Sequence, residues 1–442
     1  MRLENKNVIV VGLGKSGMAA YELLDKMKAN VCLYDGKDDL DTSAYDVPVY
    51  LGMIPEEVLQ TLDYAVFSPG VPLDIPVAEK LKENNIPLIG EIELAYYQER
   101  GTVIGITGTN GKTTTTTLTG EIMKAYGEQT FVVGNIGNPY TKEVDKSSEK
   151  SYTVAEISSF QLETIDTFRP KVSAILNITP DHLNRHKTMA CYIDTKFLIT
   201  KNQTKDDLCV LNYEDEVLRE KADKLPCRVA FFSSKQKITN GLYQNENRDI
   251  VDGESGQILM NMSESNIPGD HNCENIMAAI LMTREVGVPL DLILQTVKSF
   301  QAVEHRVEFV KNVNGVDYYN DSKGTNPDAA IKGIESMSRP TILIGGGYDK
   351  GGEFDEWVAC FAGKVKRLLL LGETSKKIAD TAERFGFHDY ELVDSLEEAV
   401  QKAAKLAEEG DAVLLSPACA SWDMFASYEQ RGTMFKEYVH NL

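Results

Sequence analysis

The chain has 442 residues, 42% of them hydrophobic, which is enough apolar material for about three domain cores. Against 46 lysines and arginines stand 67 aspartates and glutamates, a net charge of −21. General nucleic-acid binding is excluded, because no cationic surplus exists to displace counterions from phosphates. Small anionic ligands stay open, since they need only a few local cations and aimed amide N–H groups, and the surplus acid reads as a soluble, self-repelling surface.

Short apolar runs alternate with helical patterns throughout, predicting an α/β chain with mostly parallel sheets. From Met1 the polar "RLENKN" leads directly into the first run, so no signal peptide is expected. "VIVVGLGKSG" at 8–17 brings β-branched residues into Gly12, Gly14 and Gly17, the spacing G-x-G-x-x-G, and Asp35 ends the next apolar run. That is the fingerprint of a diphosphate cradle in a βαβ unit, and it raises a nicotinamide-dependent oxidoreductase as one reading. "YAVFSPG" and "IPLIGEIEL" follow as strands, with helix-length segments such as 17–28 between them.

A second strand–loop–helix start lies at "TVIGITGTNGKTTTTTLTGEIMKAYG", followed by the strands "SYTVAEIS" and "VSAILNIT" and a helix over 189–202. Residues 228–262, polar and alternating, with "NG" and "DGESG", predict antiparallel hairpins. A helix is expected to open after Pro268-Gly269 and to end near Gly287. "VEFVKNVNGVDYYND" predicts another hairpin, and "RPTILIGG", "KRLLLLG" and "GDAVLLSP" three strands joined by helices. The expected domains are 1–92, 93–302 and 303–442. Cys32, Cys191, Cys209, Cys227, Cys273, Cys360 and Cys419 are scattered and odd in number, predicting reduced thiols in a cytoplasm. No apolar run approaches the ~18 residues of a membrane span.

"GTNGKTT" at 108–114 is the strongest local signal. Its glycines let the backbone fold around phosphate oxygens, Lys112 supplies a mobile cation, and Thr113 a hydroxyl for Mg²⁺. Ile106 stands where a strict phosphate-loop pattern has its first glycine. Glu156 ends the strand "VAEISS" with the hard oxygen that Mg²⁺ prefers. His182 and Lys196 come after the next strand, and such folds place their sites at the carboxyl ends of strands.

Taken together, "GITGTNGKTT", "AEISSFQLE", "NITPDHLNRH", Y-x-x-x-K at 192–196, "HNCEN" and "EHRVE" resemble the Mur ligases, which build the peptide stem of peptidoglycan. Order and spacing match over nearly the whole chain. "NDSKGTNPDA" at 320–329 and "LSPACASWDMFASYEQRG" at 415–432 are similar to the branch that adds D-glutamate. Sibling ligases tend to carry an Asp-x-Ala-His or Tyr-Asn-Ala type of segment where this chain has Asp321-Ser322-Lys323.

The resemblance implies a Rossmann-like N-terminal domain, a central P-loop ATPase-type domain with a mostly parallel sheet plus small antiparallel hairpins, and a C-terminal Rossmann-like α/β domain. It implies ATP-dependent ligation of D-glutamate to UDP-N-acetylmuramoyl-L-alanine in cytoplasmic peptidoglycan-precursor synthesis. The route runs through an acyl phosphate and a tetrahedral intermediate, and ADP and phosphate are released. Phosphoryl transfer between two anions needs neutralisation and alignment more than a covalent nucleophile.

By the same resemblance Gly108, Thr109, Asn110, Gly111, Lys112, Thr113 and Thr114 hold the ATP phosphates, Asn272 and Asn275 lie near the adenine, and Arg306 and Asp321 near the ribose and phosphates. Two Mg²⁺ ions are implied, one on Thr113 and Glu156, the other on His182 and Lys196. An ammonium cannot ligate a metal, so Lys196 is implied as its N-carbamate. Lys323 would meet the transferring phosphate or the incoming carboxylate. Gly14, Lys15, Ser16, Asp35, Gly36, Lys37, Ser68, Pro69 and Gly70 are implied to line the uridine diphosphate, with Asn135, Ser158, Gln161 and His182 towards the sugar. Thr325 and Lys350 would take one D-glutamate carboxylate, and Ser421 and the Tyr428 backbone the other. Tyr428 stands where phenylalanine is commoner, and "GGGYDKGGEF" varies from the usual GGDxK form. A monomer is expected, with no nucleic-acid partner.

Three alternatives stay open at this point: a sibling or folylpolyglutamate-type ligase with another acceptor or amino acid, a P-loop ATPase acting as a binding module, and the NAD(P)-dependent oxidoreductase.

Overall fold

The computed structural model describes every residue except Met1, Arg2, Asp38, Ala44, Pro268 and Ala302. The start at Met1, the proline before the expected helix and the domain edge at 302 therefore lie outside the described residues. The chain forms two compact units. One comprises Met1–Ile178, Arg185–Met262 and Glu274–Lys298; the other comprises Thr179–Asn184, Ser263–Cys273 and Ser299–Leu442.

The first unit holds two sheets. Strands β1 (Asn7–Val11), β2 (Asn30–Asp35), β3 (Val49–Leu51), β4 (Tyr64–Phe67) and β5 (Leu88–Gly90) are ordered β3-β2-β1-β4-β5. All pair in parallel, with Val8 opposite both Val31 and Tyr64. The helix Lys15–Lys26 leaves the glycine loop and buries Gly17, Ala19, Ala20, Leu23 and Leu24, spaced for one helical face.

The second sheet takes β6 (Thr102–Thr107), β7 (Thr130–Gly134), β8 (Tyr152–Glu156), β9 (Val172–Ile175), β10 (Leu208–Asn212), β11 (Arg228–Ser233), β12 (Gly241–Gln244), β13 (Asp249–Asp252) and β14 (Ile258–Asn261). Their order is β14-β13-β12-β11-β10-β9-β6-β8-β7. The phosphate-loop strand β6 sits between β8 and β9, so the loop opens among parallel strand ends. One hydrophobic core runs from Val8, Val10 and Leu33 through Ile92 and Leu94 to Val133 and Phe168, joining both sheets.

Two expectations need correction here. Residues 228–262 were expected as hairpins only, but β11 pairs in parallel with both β10 and β12, and only β12 to β14 form an antiparallel meander. Polar alternation reports which face is wet and says nothing about strand direction. The short return is possible because β12 meets only the last three residues of β11, Phe231 to Ser233. The second correction concerns "IPLIGEIEL", whose strand stops at Gly90; Glu91–Tyr96 is a helix. Its alternation of glutamate and apolar residues mimics a strand, yet both glutamates are buried. Glu91 accepts from Thr141 N and Oγ1, at 2.7 and 2.8 Å. Glu93 accepts from the backbone N–H groups of Asp166, Thr167 and Phe168. The two carboxylates clamp this helix to the segments around them.

The helix expected over 189–202 runs as Met189–Phe197 and tightens into a 3₁₀ turn at Leu198–Thr200. The helix expected to end near Gly287 is Asp270–Glu285.

The second unit is built on β15 (Glu308–Val313), β16 (Val316–Asn320), β17 (Thr341–Gly345), β18 (Val365–Leu370), β19 (Tyr390–Leu392) and β20 (Ala412–Leu415). Their order is β15-β16-β20-β17-β18-β19, parallel apart from the β15–β16 hairpin. β19 went unread in the sequence because three residues, "YEL", are too few to show a period. Alternate residues face two cores: Leu343, Leu368 and Leu370 pack with Trp357 on one side, and Ile342, Ile344 and Leu369 with Phe435 on the other. Among the described residues no helix is long and apolar enough to cross a membrane.

Candidate active site

The phosphate loop of the first unit is shaped by Gly108 and Gly111, both at positive φ (146° and 81°). Gly111 caps the helix Lys112–Ala125, whose first N–H groups face the loop. Lys112 Nζ donates to the carbonyls of Gly108 and Thr109, at 2.9 and 2.7 Å. Buried Lys196 reaches the same Gly108 carbonyl at 2.8 Å and lies 4.7 Å from the Tyr192 ring centre. Two ammonium groups thus share one carbonyl oxygen beside the helix start, an arrangement that favours anions. Thr113 and Thr114 are buried in the first turn.

Two further residues set the loop, and motif reading passed over one of them. Asn177, just beyond β9, accepts from Thr109 N through its carbonyl (2.9 Å) and from Asn110 N through Oδ1 (2.8 Å). It opens the quoted stretch "NITPDHLNRH", where it was given no role of its own. Asn275 Oδ1 accepts from Thr115 Oγ1 at 3.1 Å, and a Cβ on Gly111 would lie 2.4 Å from it. Asn275 is therefore packed on the loop itself. Asn272 lies in the other unit, where its N–H donates to the Gly269 carbonyl at 3.1 Å.

Glu156, at the end of β8, stands in register with Ile106 of β6. Asn135 Nδ2 donates to its Oε1 at 2.8 Å, while the buried Oε2 has no hydrogen-bond partner among the described residues. A buried carboxylate oxygen left unpaired is costly, and a hard divalent cation is the partner its chemistry fits. The donor set at this loop therefore suits Mg²⁺.

The glycine loop opens a separate cleft of about 410 Å³ in the first unit, within the volume range of sites for sizeable organic ligands. Gly14, Lys15, Ser16, Asp35, Ser68, Pro69, Gly70, Asn135 and Gln161 all line it; Gly36, Lys37 and Ser158 do not. A Cβ on Gly17 would fall 1.9 Å from the Gly12 carbonyl oxygen, so helix and strand could not pack. A Cβ on Gly14 would meet nothing within 4 Å. Lys15 Nζ donates to the Gly137 carbonyl. Ser158 and Gln161 form a reciprocal cap on the helix Ser159–Leu162. Asp35 accepts from Leu13 N at 2.9 Å and Lys37 N at 3.1 Å. The carboxylate that a dinucleotide reading would offer to a ribose instead stabilises the loop.

In the second unit, Lys350 and His182 line a cavity of about 100 Å³ with Asp181, Asn326, Gly351 and Gly352. His182 has a left-handed backbone (φ 54°). Its ring Nε2 lies 3.5 Å from Asp181 Oδ2. Thr325 donates its N–H to the Lys323 carbonyl at 2.8 Å. Lys323 Nζ lies 5.0 Å from the Tyr428 ring centre, and the Tyr428 carbonyl accepts from Ser322 Oγ at 2.8 Å. Thr325, Ser421 and Tyr428 are not in the cavity lining.

Burial raises the Asp321 carboxyl to about 7, opposed by the Ser416 hydroxyl and the Arg306 charge. Arg306 Nε is itself buried without a hydrogen-bond partner among the described residues. Arg431, also missed in the sequence, is 2% exposed and donates to the carbonyls of Ser322, Cys419 and Ala420 and to Ser322 Oγ. It ties the "DSK" segment to the residues leading into Ser421.

Comparison with known proteins agrees with this geometry. Family models match as "Mur ligase MurD-like, N-terminal domain" over residues 6–90, "Mur ligase middle domain" over 106–283 and "Mur ligase, glutamate ligase domain" over 305–419. A UDP-N-acetylmuramoylalanine–D-glutamate ligase of Lachnospira eligens is 56% identical, covering 100% of both chains. One of Lachnoclostridium phytofermentans is 52% identical over 100% of this chain and 99% of its own. Among solved structures, the MurF ligase from Thermotoga maritima in complex with ADP superposes with a TM-score of 0.63 at 17% identity, covering 99% of this chain and 96% of that one, a likeness of fold. By full-length identity and by all three domain models, this chain belongs to the Mur ligase family.

Proposed function

We propose that this chain joins D-glutamate to UDP-N-acetylmuramoyl-L-alanine at the expense of ATP, as the names of its full-length relatives describe for them. The observation that carries the ATP-dependent half is Glu156, whose buried, unpartnered Oε2 stands beside the strand feeding the phosphate loop. Lys112, the loop N–H groups and the helix start would hold the phosphates, and Thr113 with Glu156 would hold one Mg²⁺. Bound there, Mg²⁺ supplies charge neutralisation to the phosphates.

The remaining roles belong to this chain's own groups. Lys196 as its N-carbamate would end the crowding of two ammonium groups on the Gly108 carbonyl and offer oxygens, with His182, to a second Mg²⁺. Arg306 and Asp321 would face the ribose and phosphates. Asn275 would hold the loop beneath the nucleotide, and Asn272 is read as reaching the adenine. Lys323 would meet the transferring phosphoryl or the acyl carboxylate. Lys350 and Thr325 would hold one carboxylate of D-glutamate, and Ser421 and the Tyr428 backbone the other. The 410 Å³ cleft would take the uridine diphosphate between Gly14, Lys15, Ser16 and Ser68–Gly70, with Asn135 towards the sugar. The three sheets correspond in this reading to domains 1–92, 93–302 and 303–442, acting as a cytoplasmic monomer.

The test is a phosphate-release assay with UDP-N-acetylmuramoyl-L-alanine, D-glutamate and MgATP, each omitted in turn. Turnover should need all three. Turnover with L-lysine or diaminopimelate in place of D-glutamate, or without any amino acid, would refute the assignment.

A further inference from the structure

The phosphate loop is held by a residue that follows the neighbouring strand. Ile106, where a strict phosphate-loop pattern has a glycine, stays within β6, so the chain turns between Gly108 and Gly111. Beyond Ile175 the pairing of β9 with β6 runs on. Leu176 N donates to the Thr107 carbonyl at 3.0 Å, and Thr109 N donates to the Asn177 carbonyl at 2.9 Å. The Asn177 side chain then adds one more rung. Its Oδ1 accepts from Asn110 N at 2.8 Å, and its Nδ2 donates to the Asn110 carbonyl at 3.2 Å. A carboxamide can pair with backbone in this way because it carries an acceptor and a donor side by side. The main chain has already turned away, since the next N–H, of Ile178, donates to Asp215 Oδ2 at 2.7 Å.

We propose that Asn177 is a positioning residue for the nucleotide, fixing Asn110 so that the turn at Gly111 and the helix behind it are set before ATP arrives. This rests on the reading that the loop takes ATP. Asn110 stands one residue before Gly111, whose left-handed φ of 81° opens the helix Lys112–Ala125. Where Asn110 is held therefore decides where Lys112 and the first helical turn lie. The loop's other ties are charged: Lys112 donates to the carbonyls of Gly108 and Thr109, and Lys196 to that of Gly108. Those ammonium groups are drawn towards an arriving anion, whereas the Asn177 rung is neutral and keeps its partners. A loop fixed in advance loses little freedom on binding, which adds affinity without any contact between Asn177 and the ligand.

The test measures the dissociation constants of MgATP and of UDP-N-acetylmuramoyl-L-alanine by isothermal titration, on full-length protein, with each variant's own Tm as a control on the fold. Asn177→Ala should weaken MgATP about 10-fold, the size of the two side-chain hydrogen bonds lost, and leave the constant of the other ligand unchanged. Its Tm should stay within about 4 °C of the wild type. Asn177→Asp keeps the size and the acceptor but turns an anionic oxygen towards the Asn110 carbonyl, so it should weaken MgATP more than alanine does. Steady-state kinetics should carry the same signature, with the KM for MgATP raised and that for UDP-N-acetylmuramoyl-L-alanine unmoved.

If the wild type binds MgATP and Asn177→Ala binds it equally well, Asn177 has no positioning role. Both constants rising together with a much lower Tm would make Asn177 a residue of the fold alone, and the proposal would be overturned. An aspartate variant that binds MgATP as tightly as the wild type would overturn it too, and this variant gives the comparison should the alanine variant fail to fold. A wild type that binds no MgATP refutes the reading of the loop itself, a result distinct from the others.

Discussion

Asp321 lies where burial and neighbouring positive charge compete. Its carboxyl is raised to about 7, chiefly by burial, against the opposing pulls of the Ser416 hydroxyl, Arg306, the Val307 N–H and Arg431. In the unfolded chain an aspartate titrates near ~3.9. Between those values the folded protein binds the extra proton, so this group's contribution is full at low pH and is lost as pH rises towards 7. Asp321→Asn has no proton to lose. Urea unfolding of both proteins should show the wild type losing ground to the variant by up to ~1.4 kcal/mol per pH unit across that window, levelling off above it. A difference that stays flat between about pH 5 and 7 would contradict the raised carboxyl. The absolute offset between the two proteins is less informative, since the variant also alters the contacts with Ser416 Oγ and the Val307 N–H.

At the scale of elements, the helix Glu91–Tyr96 is where local pattern and fold disagree most. Glu93 is fully buried and gathers three consecutive backbone N–H groups, from Asp166, Thr167 and Phe168, together with the Thr167 hydroxyl. Glu93→Ala should cost at least ~3 kcal/mol, because several donors would stay buried without an acceptor. Glu93→Gln, which keeps one acceptor oxygen, should cost less; denaturant midpoints of the two variants measure the difference. Equal, small losses would mean that water replaces the carboxylate. The same helix explains what could be read in advance. Apolar runs such as "VIVVG" and "TILIG" announce buried parallel strands because their side chains must be dry on both faces. Both glycine loops were legible because their geometry needs glycine at Gly17 and Gly111. A buried glutamate looks like a surface glutamate in the sequence, and its partners lie dozens of residues away. Asn177 and Arg431 lay inside quoted motifs with their roles unread for that reason: each acts through contacts that only the fold brings together.

For the molecule as a whole, a net charge of −21 makes the placing of its cations informative. Lys15 stands at the glycine-loop cleft, Lys112 and Lys196 meet at the phosphate loop, and Lys350 sits in the small cavity. Positive charge gathers at the clefts and loop to which anionic ligands are assigned in the proposed function, inside a surface that otherwise repels them. The two loops of the first unit belong to different sheets and use different glycines, so each should keep its own ligand when the other is disabled, even though Asn135 of the cleft donates to Glu156 beside the phosphate loop. A ligand at about 100 times its Kd stabilises the folded protein by about 2.7 kcal/mol, which gives a readout that does not depend on turnover. Lys112→Ala should lose the rise in Tm produced by MgATP and keep the rise produced by UDP-N-acetylmuramoyl-L-alanine. Gly14→Ala should do the reverse: beyond its chain neighbours, its added methyl meets no atom of the described residues within 4 Å, so the fold is spared, but it stands in the cleft where the proposed diphosphate would approach the backbone. If either single substitution abolished both shifts while the variant's own Tm matched the wild type, the two cradles would be coupled, and the assignment of one ligand to each would fail.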